Sequence, residues 1–146
     1  MNNPFTGKLL AEVSNASSTD AEAAIQSTVD AAIVMGALPS HARYHVLQKI
    51  AGGLYDRREE FSRLITAEAG KPITDAKREV NRAVQTFTIA AEEAKRIPGE
   101  VIPLDWTPGT DSHLGILRRV PIGPVLGITP FNFPLNLVAH KVAPAL

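Results

Sequence analysis

The chain has 146 residues, enough for one domain with a real core. Its 15 basic and 15 acidic residues cancel, so no net charge drives it onto nucleic acid or an anionic membrane. It has no cysteine, which excludes disulfide frameworks and thiolate metal sites, and no apolar run of membrane-spanning length or basic-then-apolar leader, so a cytoplasmic protein is expected.

Residues 3–13, NPFTGKLLAEV, predict an extended segment with a turn: Pro4 fixes φ and Gly7 relaxes it. After a short polar loop, Thr19 and Glu22 have capping-box spacing, and Ile25, Val29, Ala32 and Ile33 give a helical stripe to about Met35. Gly36 and Pro39 end that helix, and Ser40 opens the next, with Val46, Leu47, Ile50 and Leu54 as its buried face and a break expected from Gly52-Gly53 to Asp56. His41 and His45 lie one turn apart on it, but no third ligand is near, so no metal site is assigned.

Asp56 and Glu59 are spaced for a second capping box, and Phe61, Leu64 and Ile65 continue a helix that Gly70 should terminate as a C-cap. Gly70-Lys71 lacks the upstream glycine of a phosphate loop and follows no strand, so Lys71 is read as a cation near a helix C-terminus. A long helix is expected from Thr74 or Asp75 to about Ile97. Val80, Val84, Phe87 and Ala91 form its inner stripe, with Lys77, Arg78, Glu79, Glu92, Glu93, Lys95 and Arg96 on a solvated face. Residues 99–113 are rich in turn formers, and Leu114 to Arg119 alternates like a half-exposed strand.

The segment LRRVPIGPVLGITPFNFPLNL, residues 117–137, organises the rest. Val125 to Thr129 is a short, nearly uniform apolar run, which suits a strand covered on both faces, and Pro130 stops it. Pro134 is suited to the first turn of a helix over 134–146, with Leu135, Val138 and Val142 as its inner face. Asn132 then sits one or two residues before a helix N-terminus, where free N–H groups favour a pyrophosphate or an oxyanion; it also suits a plain helix cap. The G-x-G-x-x-G dinucleotide fingerprint is missing, since Gly123 and Gly127 are spaced G-x-x-x-G.

Three strings, Pro121-Ile122-Gly123-Pro124-Val125, Ile128-Thr129-Pro130-Phe131-Asn132-Phe133-Pro134 and Lys141-Val142-Ala143-Pro144-Ala145-Leu146, resemble the aldehyde dehydrogenase superfamily. The likeness extends back through Glu68-Ala69-Gly70-Lys71-Pro72 to Asn3-Pro4-Phe5-Thr6-Gly7-Lys8, in the family's order. It implies an α/β fold: an N-terminal hairpin and helices over residues 1–113, an oligomerisation strand over 114–123, and the first strand and helix of a Rossmann-like cofactor domain over 124–146.

The resemblance also implies a role for Asn132 as donor to the oxyanion of a cysteine thiohemiacetal. It places Ile128, Thr129, Pro130 and Phe131 along the NAD or NADP site. Phe131 departs from the commoner tryptophan and is similar to members acting on lactaldehyde, semialdehydes or glyceraldehyde phosphate. The nucleophilic cysteine and general-base glutamate are expected beyond residue 146, which implies the N-terminal portion of a roughly three-fold longer enzyme, too large for one domain of ordinary size. That portion alone is expected to be inactive, and the whole protein a homodimer or homotetramer acting on a small aldehyde. An acylating or reductive member of the superfamily, or a module that only folds or binds, are the alternatives.

Overall fold

The computed structural model describes residues 1–146. Five helices and one hairpin follow in order: α1 (Ser18–Ala37), α2 (Ser40–Asp56), α3 (Arg58–Ala69), α4 (Ile73–Ala94), β1 (Glu100–Pro103), β2 (Leu114–Leu117) and α5 (Asn136–Ala145). No helix is long and apolar enough to cross a membrane. The N-terminal segment turns at Gly7, in the left-handed region at φ 70°, and returns so that Asn2 faces Leu9 in an isolated antiparallel bridge.

Helix α4 is the central element, and α2, α3 and α5 all pack on it. Its inner stripe contributes Ala83, Phe87, Ala91 and Ala94 to the main core, against Leu47 and Ala51 of α2 and Ala139 and Ala143 of α5. A smaller cluster joins Ile65 of α3 to Ala76 and Val80. The many alanines at these contacts let the helix axes approach closely, where larger side chains would hold them apart.

Several local expectations change. The capping box of α1 is Ser17 with Asp20, two residues earlier than the Thr19–Glu22 pair: Asp20 N–H donates to Ser17 Oγ at 3.2 Å, and Ser17 N–H donates to Asp20 Oδ2 at 2.8 Å. Thr19 therefore lies inside the first turn. Helix α2 runs through Gly52-Gly53, because Ala51 and Leu54 on either side pack into the core and outweigh the roughly 1 kcal/mol penalty of each glycine. No Asp56–Glu59 box forms; Arg57 separates the two helices, and its guanidinium binds the Glu60 carboxylate in a fork at 2.6 and 2.8 Å. Gly70 does cap α3, at φ 68°, with its N–H on the Thr66 carbonyl at 3.0 Å.

The turn-rich connection contains β1, which pairs antiparallel with β2 through Glu100↔Leu117, Val101↔Ile116, Ile102↔Gly115 and Pro103↔Leu114. The ladder ends at Leu117, two residues short of the strand expected to Arg119. Gly99 packs beside it so closely that a Cβ there would sit 2.9 Å from the Leu117 carbonyl oxygen.

The apolar run 125–129 belongs to no strand and is exposed, because no neighbouring strand lies alongside to complete a ladder. Helix α5 starts at Asn136, and its buried face is Asn136, Ala139 and Ala143. Leu135 is half-buried, and Val138 and Val142 remain partly open to solvent, so the buried stripe is rotated by one residue from the expected one.

Candidate functional site

The site is built where three pieces of chain meet: the Gly70 turn, the first half of α4, and the loop that leads into α5. The αL conformation of Gly70 reverses the chain, so Lys71 leaves α3 and reaches α4. There Glu79 is only 1% exposed. Lys71 Nζ donates to Glu79 Oε2 at 2.5 Å and to the Asn132 carbonyl oxygen at 3.0 Å, and it lies 3.9 Å from the centroid of the Phe133 ring. The other carboxylate oxygen, Glu79 Oε1, accepts the backbone N–H groups of Leu135 at 2.9 Å and Asn136 at 3.2 Å.

Glu79 is thus the cap of α5. A carboxylate at a helix N-terminus satisfies orphan N–H groups and sits at the positive end of the dipole. Two of the N–H groups expected to be open to a pyrophosphate or oxyanion are already engaged by Glu79. Helix α5 has Leu135 at its N-cap, with no side-chain cap bond, and Asn132 lies outside the first turn. Asn132 is therefore not the cap; its side-chain amide makes no hydrogen bond within the chain and is exposed.

Sequence reasoning misplaces Glu79, whose charge points to a solvated face but which is buried. Lys71 does follow the C-cap of α3, near that helix C-terminus, while its partners Glu79 and the Asn132 carbonyl come together only in the fold. Helical spacing carried the signal for Glu79: it lies three residues after Ala76 and four before Ala83, both fully buried. Its charge argued the other way, and the burial is possible because Lys71 and two N–H groups meet both oxygens.

Ile128, Thr129, Pro130 and Phe131 lie side by side in the exposed segment before Asn132, with Ile128 77% and Phe131 91% exposed. From Val120 to Phe131, no backbone group and no side chain makes a hydrogen bond within the chain. Free N–H and C=O groups, the Thr129 hydroxyl and the exposed ring of Phe131 leave this strip with unengaged donors, acceptors and an apolar face. His41 and His45 are exposed on α2, and no group of three or more potential metal-binding side chains comes together.

The aldehyde dehydrogenase family model matches residues 1–146. Among curated proteins, the chain is 43% identical over 144 residues to the 3-sulfolactaldehyde dehydrogenase of Priestia aryabhattai, covering 99% of this chain and 30% of that protein. It is 40% identical over 144 residues to the lactaldehyde dehydrogenase of Methanocaldococcus jannaschii, again covering 99% and 30%. Among solved structures, it superposes with a TM-score of 0.95 and 47% identity on an aldehyde dehydrogenase from Physcomitrella patens in complex with the reaction product succinate, over 99% of this chain and 30% of that one. A glyceraldehyde-3-phosphate dehydrogenase from Methanocaldococcus jannaschii complexed with NADP gives 0.92 and 40%, with the same coverage.

The chain belongs to the aldehyde dehydrogenase family and spans about 30% of the length of these relatives. The α/β fold expected from the motif order is the fold observed, as mixed helices with a small antiparallel sheet.

Proposed function

We propose that the protein carrying this chain oxidises a small aldehyde to a carboxylic acid with NAD or NADP, as a cytoplasmic homodimer or homotetramer. This chain supplies Asn132 as oxyanion donor and Ile128, Thr129, Pro130 and Phe131 as part of the cofactor site. Residues 114–123 contribute to subunit contacts, and 124–146 open the cofactor-binding core.

The observation that carries the reading is the state of Asn132: its amide is free and exposed, while its backbone carbonyl is held by Lys71. A donor aimed at a developing oxyanion must be fixed at its base and unengaged at its tip, because its contribution comes from needing no reorganisation as charge develops. The nucleophilic cysteine and the general-base glutamate come from residues outside this chain. Bound NAD(P) would supply the hydride acceptor, and the exposed strip 128–131 would hold and orient it.

The names of similar proteins support a class of short, polar aldehyde substrates. Their names include lactaldehyde, 3-sulfolactaldehyde, aspartate-semialdehyde and succinate-semialdehyde dehydrogenases, all acting on short aldehydes bearing a hydroxyl or an anionic group. The test is NAD(P)H formation by the complete protein over a panel of lactaldehyde, succinate semialdehyde, glyceraldehyde 3-phosphate and an unsubstituted alkanal. Faster turnover of the polar short aldehydes than of the alkanal supports the reading. No turnover of any aldehyde with either cofactor contradicts it.

A further inference from the structure

We propose that the buried Lys71–Glu79 pair is a positioning device for Asn132, setting the oxyanion donor by fixing its backbone from below. The inference rests on the reading of Asn132 given above.

The argument begins with what holds Asn132. From Val120 to Asn132, the bond from Lys71 Nζ to the Asn132 carbonyl is the one hydrogen bond made within the chain. The donor amide therefore stands at the end of a segment with a single polar anchor, and that anchor is a lysine. Lysine is a flexible cation on a long stem, and by itself a poor fixed point. Here it is immobilised: its ammonium is paired with a carboxylate that is itself fully buried, and it lies against the ring of the next aromatic residue, Phe133. The same carboxylate holds the N–H groups of Leu135 and Asn136. One Glu79 side chain thus sets the start of α5, and its lysine partner sets the carbonyl of the residue whose side chain faces solvent. Both restraints trace to α4, the helix that contributes buried residues to both core clusters.

A purely structural reading is weaker. Desolvation of two charges offsets much of what a buried pair gains, so such a pair is poor evidence of stability and better suited to fixing one arrangement among several. Two stretches distant in sequence, residues 71–79 and 132–136, are joined through this pair, and they meet at the candidate oxyanion donor. A group that donates to an oxyanion tolerates little displacement, since a shift of about 1 Å can lower a rate on the order of 100-fold.

The test uses the complete protein with Lys71→Met and Glu79→Gln combined. This neutral pair leaves no unpaired buried charge and keeps an amide oxygen to accept from Leu135 and Asn136, while the donor to the Asn132 carbonyl is lost. It is made on the native and on the Asn132→Ala background. Single-turnover NAD(P)H formation should fall by at least about tenfold on the native background, with KM for the cofactor changed by less than about threefold. On the Asn132→Ala background the same pair should change the rate by less than about twofold, because an effect that passes through Asn132 vanishes with its amide. The side-chain amide resonances of Asn132 in the labelled protein should shift and broaden in the neutral pair, as its backbone anchor is lost, a readout independent of turnover.

An equal fall on both backgrounds, an unchanged native rate, or unchanged Asn132 side-chain resonances would overturn the proposal. If Asn132→Ala alone leaves the rate intact, the reading of Asn132 fails and the positioning role fails with it; if Asn132→Ala slows the enzyme and the neutral pair does not, only the positioning role fails. Should the neutral pair not fold, Lys71→Arg keeps Glu79 paired while moving the donor, and it should slow only the native background; equal slowing on both, or none, would again overturn the proposal.

Discussion

Glu79 makes the residue-scale case that burial follows position and partners rather than residue type. It lies on the inner stripe of α4 with both carboxylate oxygens engaged. Removing its counter-charge alone should be severe: Lys71→Ala leaves a buried carboxylate without a cation, a change expected to cost about 3 to 5 kcal/mol. The neutral combination of Lys71→Met with Glu79→Gln should cost far less, because no charge is stranded. Urea midpoints of the two variants check this, and equal midpoints would contradict it. At this scale the sequence was partly legible. The charge of Glu79 points to a solvated face although its spacing from Ala76 and Ala83 is that of the inner stripe, and its partner Lys71 lies across a turn at Gly70, whose αL geometry brings the two together. Asn132 was legible as a special residue from its Pro-aromatic-Asn-aromatic-Pro setting, whereas its freedom from capping was not. That freedom depends on Glu79, which is 53 residues earlier in the sequence.

At the scale of elements, helix caps and turns decide where each segment starts and stops. The Asp20 carboxyl is held below its ordinary range, first by the backbone N–H of Ser17 and then by the Ser17 hydroxyl. A depressed carboxyl stabilises the folded state above its ordinary pKa, and that support is lost as pH falls through the folded value. The N-terminal turn of α1 should therefore fray on acidification below the ordinary aspartate range, and Asp20→Ala should remove the pH dependence. Amide exchange at residues 18–21 as pH is lowered reads this out; no change on acidification would contradict it. Gly70→Ala should lower stability by about 1 to 2 kcal/mol, the cost of a side chain in the left-handed region. The new Cβ would also stand 3.2 Å from Pro4 Cγ. A thermal midpoint equal to the native one would contradict that assignment.

The helices were legible because their periodicity is local, and α4 was placed within two residues at its start. The strand over 125–129 was not, because an apolar run says only that two faces can be covered, while a strand exists only where a second one pairs with it. The inner face of α5 was misjudged for a related reason. Leu135, Val138 and Val142 are the more apolar choice, but close packing against α4 selects Ala139 and Ala143.

On the scale of the whole molecule, a small alanine-rich core is accompanied by much exposed apolar surface. Helix α1 buries none of its residues; Ile25, Val29 and Ile33 are open, as are Val120, Ile122, Val125, Leu126 and Ile128. Surface of this extent is characteristic of contact faces. The 146-residue chain expressed alone should therefore self-associate, with a light-scattering mass well above 15.7 kDa; a monomer at micromolar concentration would contradict that. Family membership was legible from the order of motifs along the chain, because each motif is a local string. The assembly of Gly70, Lys71, Glu79 and Asn132 into one site required the fold. The central claim is that Asn132 stabilises developing negative charge on the substrate oxygen. The most direct measurement is kcat of the complete protein with Asn132→Ala, alongside its dissociation constant for NAD(P). The account predicts a fall in kcat of about 100- to 1000-fold with cofactor affinity nearly unchanged; a native kcat would contradict it.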